Sequence, residues 1–103
     1  MSRRAAQYPN AEPRGSARHK VFLPAEMTHA GGASRVHLLN LSPAGALVHG
    51  DAVPRPGAVV QISCASATWP ARVVWAQHKR FGLIHMTPLA PKVMATLVGQ
   101  SAG

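Results

Sequence analysis

Five polar residues or glycines stand at spacings that suit ligand recognition. Arg14 and Arg18 lie four positions apart before the first apolar alternating run, and Asn40, Ser42 and Gly45 follow in a short segment between two later runs. A guanidinium group binds phosphate oxygens or the acceptor edge of guanine through paired hydrogen bonds, and its flat face stacks on bases. An asparagine amide both donates and accepts, and a serine hydroxyl does the same. These residue types favour an anionic ligand that carries a base.

Catalytic and metal-binding groups are sparse in this chain. The carboxylates are Glu12, Glu26 and Asp51. They are scattered in sequence, whereas a paired-carboxylate mechanism needs two that meet. Ser42 lacks the flanking glycines of a nucleophile elbow, the six histidines show no paired ligand spacing, and Cys64 has no cysteine partner. We predict that the protein is not an enzyme and has neither a metal site nor a cofactor.

Length and charge restrict the class of protein. A chain of 103 residues suits one domain with a single modest core. Eleven lysines and arginines against three acidic residues give a formal charge of +8, which attracts nucleic acid, free nucleotides or acidic membranes. One cysteine suits a reducing compartment, no apolar run approaches the roughly 20 residues of a membrane span, and the N-terminus lacks the apolar segment of a secretory signal. We therefore expect a cytoplasmic protein without a membrane span.

The apolar pattern predicts an all-β domain with one C-terminal helix. Strand-like alternation covers residues 21–27, 35–41, 46–49, 59–64, 68–75 and 81–85. Pro24 implies an edge or a bulge in the first run. Residues 91–98 have apolar positions at helical spacing, with a proline at their start and Gly99 after their end. Because closure removes exposed strand edges, we predict a six-stranded antiparallel β-barrel.

The predicted domain spans residues 14–99, between an N-terminal arm and a short tail. Residues 1–13 carry Arg3 and Arg4 without apolar periodicity, which is typical of a mobile basic arm. Pro13 and Gly15 argue against a helix around Arg14 and Arg18, so this segment is predicted to be a loop. Residues 100–103 form the tail.

Residues 40–45 are predicted to form the bend of a β-hairpin. If Leu41 faces the core, strand alternation sends Asn40 and Ser42 together to the opposite face as an exposed polar platform. Both faces of the run 35–41 hold apolar side chains, so periodicity leaves the buried face undecided. Gly45 permits either a positive φ or a close approach by ligand or backbone.

Alone, each of the two motifs fits an ordinary charge run or turn, but together they resemble the signature of the PilZ domain family. The resemblance consists of Arg14-x-x-x-Arg18 before the first strand and Asn40-x-Ser42-x-x-Gly45 on the next hairpin. Later segments, namely Gly57 before 59–62, then 71–75 and 81–84, are also similar, so the resemblance covers about residues 14–86. PilZ domains bind the bacterial messenger cyclic di-GMP.

The resemblance implies a six-stranded antiparallel barrel with a C-terminal helix and a nucleotide on its outer surface. It also implies that Arg14 and Arg18 grip guanine and phosphate, while Asn40, Ser42 and Gly45 surround one guanine. Trp75 is a weaker candidate, because an aromatic ring at the end of its strand suits either stacking on the ligand or filling the core.

The function implied is that of a cyclic di-GMP receptor or adaptor with an unidentified protein partner. Ligand binding would order the N-terminal arginine loop and alter protein contacts. One alternative is a PilZ-like adaptor that does not bind nucleotide. The other is a small basic barrel that binds nucleic acid without sequence specificity, which the shortage of aromatics outside core positions disfavours.

Overall fold

The computed structural model describes residues 18–101, which form six β-strands and one α-helix. The strands are β1 (His19–His29), β2 (Gly32–Leu41), β3 (Gly45–Gly50), β4 (Val59–Cys64), β5 (Ala67–Gln77) and β6 (Arg80–His85), and the helix is α1 (Pro91–Gln100). Every predicted strand is present, several extended by a few residues. Arg14 and the predicted arm, 1–13, lie outside the described residues.

The strands close into an antiparallel barrel in the order β1-β2-β3-β6-β5-β4. Closure occurs where Glu26, Met27 and Thr28 of β1 pair with β4. Each strand therefore has two neighbours, and the backbone donors and acceptors of a flat sheet's edges are paired instead. The predicted six-stranded antiparallel barrel with a C-terminal helix is confirmed.

The hydrophobic core fills the barrel and continues under α1. Its largest fully buried side chains are those of Phe81, Met27, Leu38, Leu41, Ile62, Leu83 and Leu97. Met94 and Leu97 bury one face of the helix in the same core. The far end of α1 is tied to β1, because the Phe22 N–H donates to Ser101 Oγ at 2.9 Å. No helix within residues 18–101 is long and apolar enough to cross a membrane.

A β-bulge in β2 decides which of its residues face the core. Leu38 pairs with Val48 and Asn40 pairs with Leu47, so Leu39 is an extra residue without a partner on β3. An extra residue shifts the two-residue alternation by one position. Leu38 and Leu41 are consequently both fully buried although three positions separate them. The assumption that Leu41 faces the core is confirmed, and the bulge explains why periodicity alone left it open.

Bulges also interrupt β1 and β5. The register shifts between Lys20 and Leu23 in β1, just before Pro24, and between Val73 and Trp75 in β5. Pro24 itself pairs in register with His37 just after this bulge, and the pairing of β1 with β4 is confined to Glu26, Met27 and Thr28. The proline therefore stands next to a bulge, at a position of β1 that has no partner on β4. Bulges re-aim the side chains that follow them.

Candidate ligand-binding site

A row of directly paired residues crosses the outer face of five strands. Asn40 of β2 pairs with Lys20 of β1 on one side and with Leu47 of β3 on the other. Leu47 pairs with Gly82 of β6, which in turn pairs with Trp75 of β5. Neighbouring strands lie about 5 Å apart, so Asn40 and Trp75 are roughly 15 Å apart along this row. The row has room for a ligand that spans several strands.

The row lies at an open cleft of about 1060 Å³. Its lining consists of Arg18, Asn40, Leu47, His49, Trp75, Gln77, His78, Lys79 and Arg80. Three of the residues singled out in the sequence, Arg18, Asn40 and Trp75, are thus brought together. Ser42 and Gly45 are not part of the lining.

The charge of the cleft favours an anion. Arg18, Lys79 and Arg80 contribute cationic groups, and none of the described lining residues is acidic. Lys79 Nζ lies 3.1 Å from an Asp51 carboxylate oxygen, and both side chains are highly exposed. Exposed ion pairs contribute little free energy, so this pair changes the local field only modestly.

Sequence reasoning missed the contribution of the turn between β5 and β6. Gln77 ends β5, Arg80 begins β6, and Arg80 pairs across the sheet with His49 of β3. The polar run from Gln77 to Arg80 is visible in the sequence as a turn, with His78 at a positive φ of 57°. Its position beside Asn40 depends on the barrel's strand order, which places β6 next to β3.

Ser42 does not stand on an exposed platform beside Asn40, so that expectation is wrong. The side chain is only 1% exposed. Its Oγ accepts hydrogen bonds from the N–H groups of Ala44 at 3.2 Å and Gly45 at 3.1 Å, and it lies 3.3 Å from the Gly45 carbonyl oxygen as donor. Ser42 follows the end of β2, where the chain bends and strand alternation no longer applies. A direct role for Ser42 in ligand binding stays a prediction.

Replacement of Ser42 with alanine should lower the free energy of unfolding by about 1–3 kcal/mol, because two N–H groups would lose their acceptor in a largely buried turn. Urea denaturation would measure the change, with Ser66→Ala, at an exposed hairpin position, as the control. Equal stability of the Ser42→Ala protein and the wild type would contradict the structural importance of this hydroxyl.

Gly45 begins β3 and pairs with Ile84 of β6. Among the described glycines, a positive φ occurs at Gly31 and Gly57, and Gly45 is not one of them. A positive φ was one of two explanations for a glycine at this position, and the structure contradicts it. Close approach by ligand or backbone stays a prediction.

Trp69, and not Trp75, is the tryptophan of the core. Trp69 is 6% exposed and belongs to the hydrophobic cluster, whereas Trp75 is half-buried and lines the cleft. This placement favours stacking on a ligand over core filling as the role of Trp75.

His85 is a buried histidine beside residues 42–45, which we call the motif turn. Its backbone N–H donates to the Ala44 carbonyl at 2.8 Å. Trp69 Nε1 donates to its Nδ1 at 3.1 Å. Burial lowers the pKa of His85 to about 4, against the smaller, opposite effect of the Ser42 and Gly45 backbones. The imidazole is therefore neutral at physiological pH.

The structure defines a small closed β-barrel domain with an open basic cleft on its outer face. Within residues 18–101, no group of three or more histidine, cysteine or acidic side chains is placed to hold a metal ion. The model of the PilZ domain family matches residues 12–100, and the chain belongs to that family. PilZ domains are receptor and adaptor domains.

A solved structure shows the same fold. The Bacillus subtilis inhibitor of motility, MotI/DgrA, superimposes with a TM-score of 0.64 at 16% sequence identity. The match covers 87% of this chain and 50% of that protein, so this chain spans about half its length. A comparison with curated protein sequences gives no match.

Proposed function

We propose that this protein is a cytoplasmic cyclic di-GMP receptor that binds the nucleotide in the outer cleft. The observation that carries the proposal is the convergence of Arg18, Asn40 and Trp75 on one basic cleft. Membership of the PilZ domain family supports this choice of ligand.

The three side chains offer complementary contacts to such a ligand. Arg18 presents a planar fork for a phosphate or for guanine O6 and N7. Asn40 presents an amide to the polar edge of a base, and Trp75 presents a ring for stacking. Lys79 and Arg80 increase the attraction for the two phosphates of the ligand.

In this proposal the motif turn does not contact the ligand and instead holds the backbone next to Asn40 in place. Ser42 holds the turn through its bonds to Ala44 and Gly45, while the adjacent Leu41 is anchored in the core. Asn40 immediately precedes this anchored segment. In this proposal Asn40 reads the guanine, and Ser42 acts mainly by keeping the backbone around it in place.

Isothermal titration calorimetry with cyclic di-GMP tests the proposal directly. Saturable binding that persists at moderate salt would support it. Binding to long duplex DNA with a steep salt dependence, and none to cyclic di-GMP, would instead favour a nucleic-acid-binding barrel. Absence of binding to either would favour an adaptor that acts through protein contacts alone.

The structure offers limited support for the nucleic-acid alternative. Non-specific binders of single strands rely on exposed aromatic rings. Trp69 and Phe81 are buried in the barrel, and Phe22, which is 65% exposed, stacks on His37 with ring centroids 4.6 Å apart. Within residues 18–101, Phe22 and the half-buried Trp75 are then the rings left for stacking, which is a small platform for a chain of bases.

Replacement of Asn40 with alanine should weaken selectivity for guanine more than it weakens anion binding in general. Amide contacts read the base edge, whereas the cationic side chains attract any cyclic dinucleotide. The ratio of the dissociation constants for cyclic di-AMP and cyclic di-GMP should therefore fall in Asn40→Ala. Gln61→Ala, which removes an exposed amide on β4, serves as the matched control. Equal losses for both nucleotides would count against this role.

Nucleotide binding is proposed to produce a signal by ordering residues 1–17 over the bound nucleotide. Arg14 would then make a second arginine contact with the ligand. A new surface made by this segment would then be presented to a partner protein. The structurally similar Bacillus subtilis protein is named an inhibitor of motility, which is consistent with a protein of this fold that acts on other proteins. Amide hydrogen exchange of residues 1–17 should slow when cyclic di-GMP is added. Identical exchange in both states would refute this output.

A further inference from the structure

His85 contacts two elements that the ligand cleft depends on. It is the last residue of β6 and pairs with Ala71 of β5. Its backbone N–H donates to Ala44 in the motif turn at 2.8 Å. Its side chain is 4% exposed, so the imidazole is enclosed by protein. A buried polar ring in a small barrel needs hydrogen-bond partners, and those partners identify what it holds together.

Trp69 fixes the orientation and the tautomer of the ring. The indole Nε1–H donates to His85 Nδ1 at 3.1 Å, and the two rings are nearly perpendicular, at 84°. Because Nδ1 accepts this bond, the proton of the neutral imidazole lies on Nε2. Among the described residues, buried Nε2 has no hydrogen-bond partner within normal geometry.

The backbone of His85 holds the motif turn. Its N–H donates to the Ala44 carbonyl at 2.8 Å, so the residue whose ring is fixed by Trp69 also carries a hydrogen bond to the turn. A second backbone bond, from the Leu89 N–H to the Pro43 carbonyl at 2.9 Å, holds the turn against the segment after β6. His85 therefore links Trp69, through its ring, to the motif turn, through its backbone.

We propose that His85 is a positioning residue for ligand recognition, which sets the position of Asn40 by holding the motif turn against Trp69. Leu41 links the turn to Asn40 and is fully buried, so a displacement of the turn is transmitted to Asn40 rather than absorbed by solvent-exposed chain. This inference rests on the proposed function, because the ligand it concerns is cyclic di-GMP.

Three variants test the inference. His85→Leu keeps buried volume and removes both ring nitrogens, whereas His85→Gln keeps one donor and one acceptor. Val36→Ala truncates a buried residue of β2 that pairs with Gly50, away from the motif turn, and so controls for a general loss of stability. Each variant is titrated with cyclic di-GMP, and amide hydrogen exchange at Ala44 and Gly45 is measured without ligand.

We expect His85→Leu to raise the dissociation constant about tenfold, which corresponds to one neutral hydrogen bond. His85→Gln should stay within about threefold of wild type, and Val36→Ala should bind normally despite its lower melting temperature. Exchange at Ala44 and Gly45 should accelerate in His85→Leu and in neither His85→Gln nor Val36→Ala. Unchanged exchange at these two amides, or equal affinity losses in His85→Leu and Val36→Ala, would overturn the inference.

A fourth variant covers the case in which His85→Leu does not fold. Trp69→Phe keeps a core ring and removes only the donor to Nδ1, so the imidazole loses its fixed orientation. Faster exchange at Ala44 and Gly45 is expected, and no change there would overturn the inference. The exchange measurements need no ligand. A wild-type protein that does not bind cyclic di-GMP would therefore refute the proposed function, while these measurements still decide whether His85 positions the turn.

Discussion

Replacement of Arg18 with alanine is expected to raise the dissociation constant for cyclic di-GMP by about 10- to 100-fold. Hydrogen bonds to charged groups contribute ~1.5–3 kcal/mol, and 1.4 kcal/mol corresponds to about a factor of ten. Arg18 is exposed at the mouth of the cleft, at the start of the described chain, so its truncation leaves the core intact. Isothermal titration calorimetry measures the affinity, and circular dichroism verifies the fold.

Two further variants separate the shape of the arginine from its charge. Arg18→Lys keeps the charge and loses the planar fork, so it should recover only part of the affinity. Arg55→Ala removes one positive charge from the loop between β3 and β4, outside the cleft lining. It should bind nearly as tightly as wild type. Equal affinities of Arg18→Ala and Arg55→Ala would place the nucleotide elsewhere.

The second large effect is expected on stability in acid. The pKa of His85 is about 4 in the folded protein and 6.5 as the ordinary value. Between these values the unfolded chain binds more protons than the folded one, so stability falls as the pH is lowered from 6.5 to 4. The stability that depends on a neutral His85 is fully present above pH 6.5 and is lost below pH 4. At 1.36 kcal/mol per pH unit, it amounts to about 3 kcal/mol.

Urea denaturation between pH 4 and pH 8 would measure this dependence. His85→Gln has no ionisable group at this position, so its free energy of unfolding should change much less over the same interval. His49→Gln, at an exposed position on β3, should keep the wild-type dependence. The attribution to His85 would fail if His85→Gln lost as much stability in acid as the wild type does.

The two expected effects concern opposite sides of the motif turn. Arg18 lies on the exposed outer face and lines the proposed ligand cleft. His85 is buried, its ring accepts a hydrogen bond from Trp69, and its backbone N–H donates to Ala44. The first prediction therefore tests the proposed binding surface, and the second tests the packing of the barrel.

Local patterning in the sequence was sufficient to predict the elements of the fold. Alternating apolar residues located six strands, and Pro91 with Gly99 marked the helix that the structure shows from Pro91 to Gln100. The prediction of a closed barrel rested on the need to pair exposed strand edges. Resemblance to the PilZ signature indicated the family, and the family match over residues 12–100 confirms it.

Only the tertiary structure decided which side chains face the cleft. Alternation along a strand is a local property, whereas a bulge is defined by the partner strand, and the extra residue at Leu39 reverses the face of everything after it. For the same reason the burial of Ser42 and the contact between Trp69 and His85 were not evident from spacing. Arg80 reaches the cleft because β6 pairs with β3, two strands far apart in sequence. Sequence periodicity determined the strands of this protein, and long-range pairing and packing determined its site.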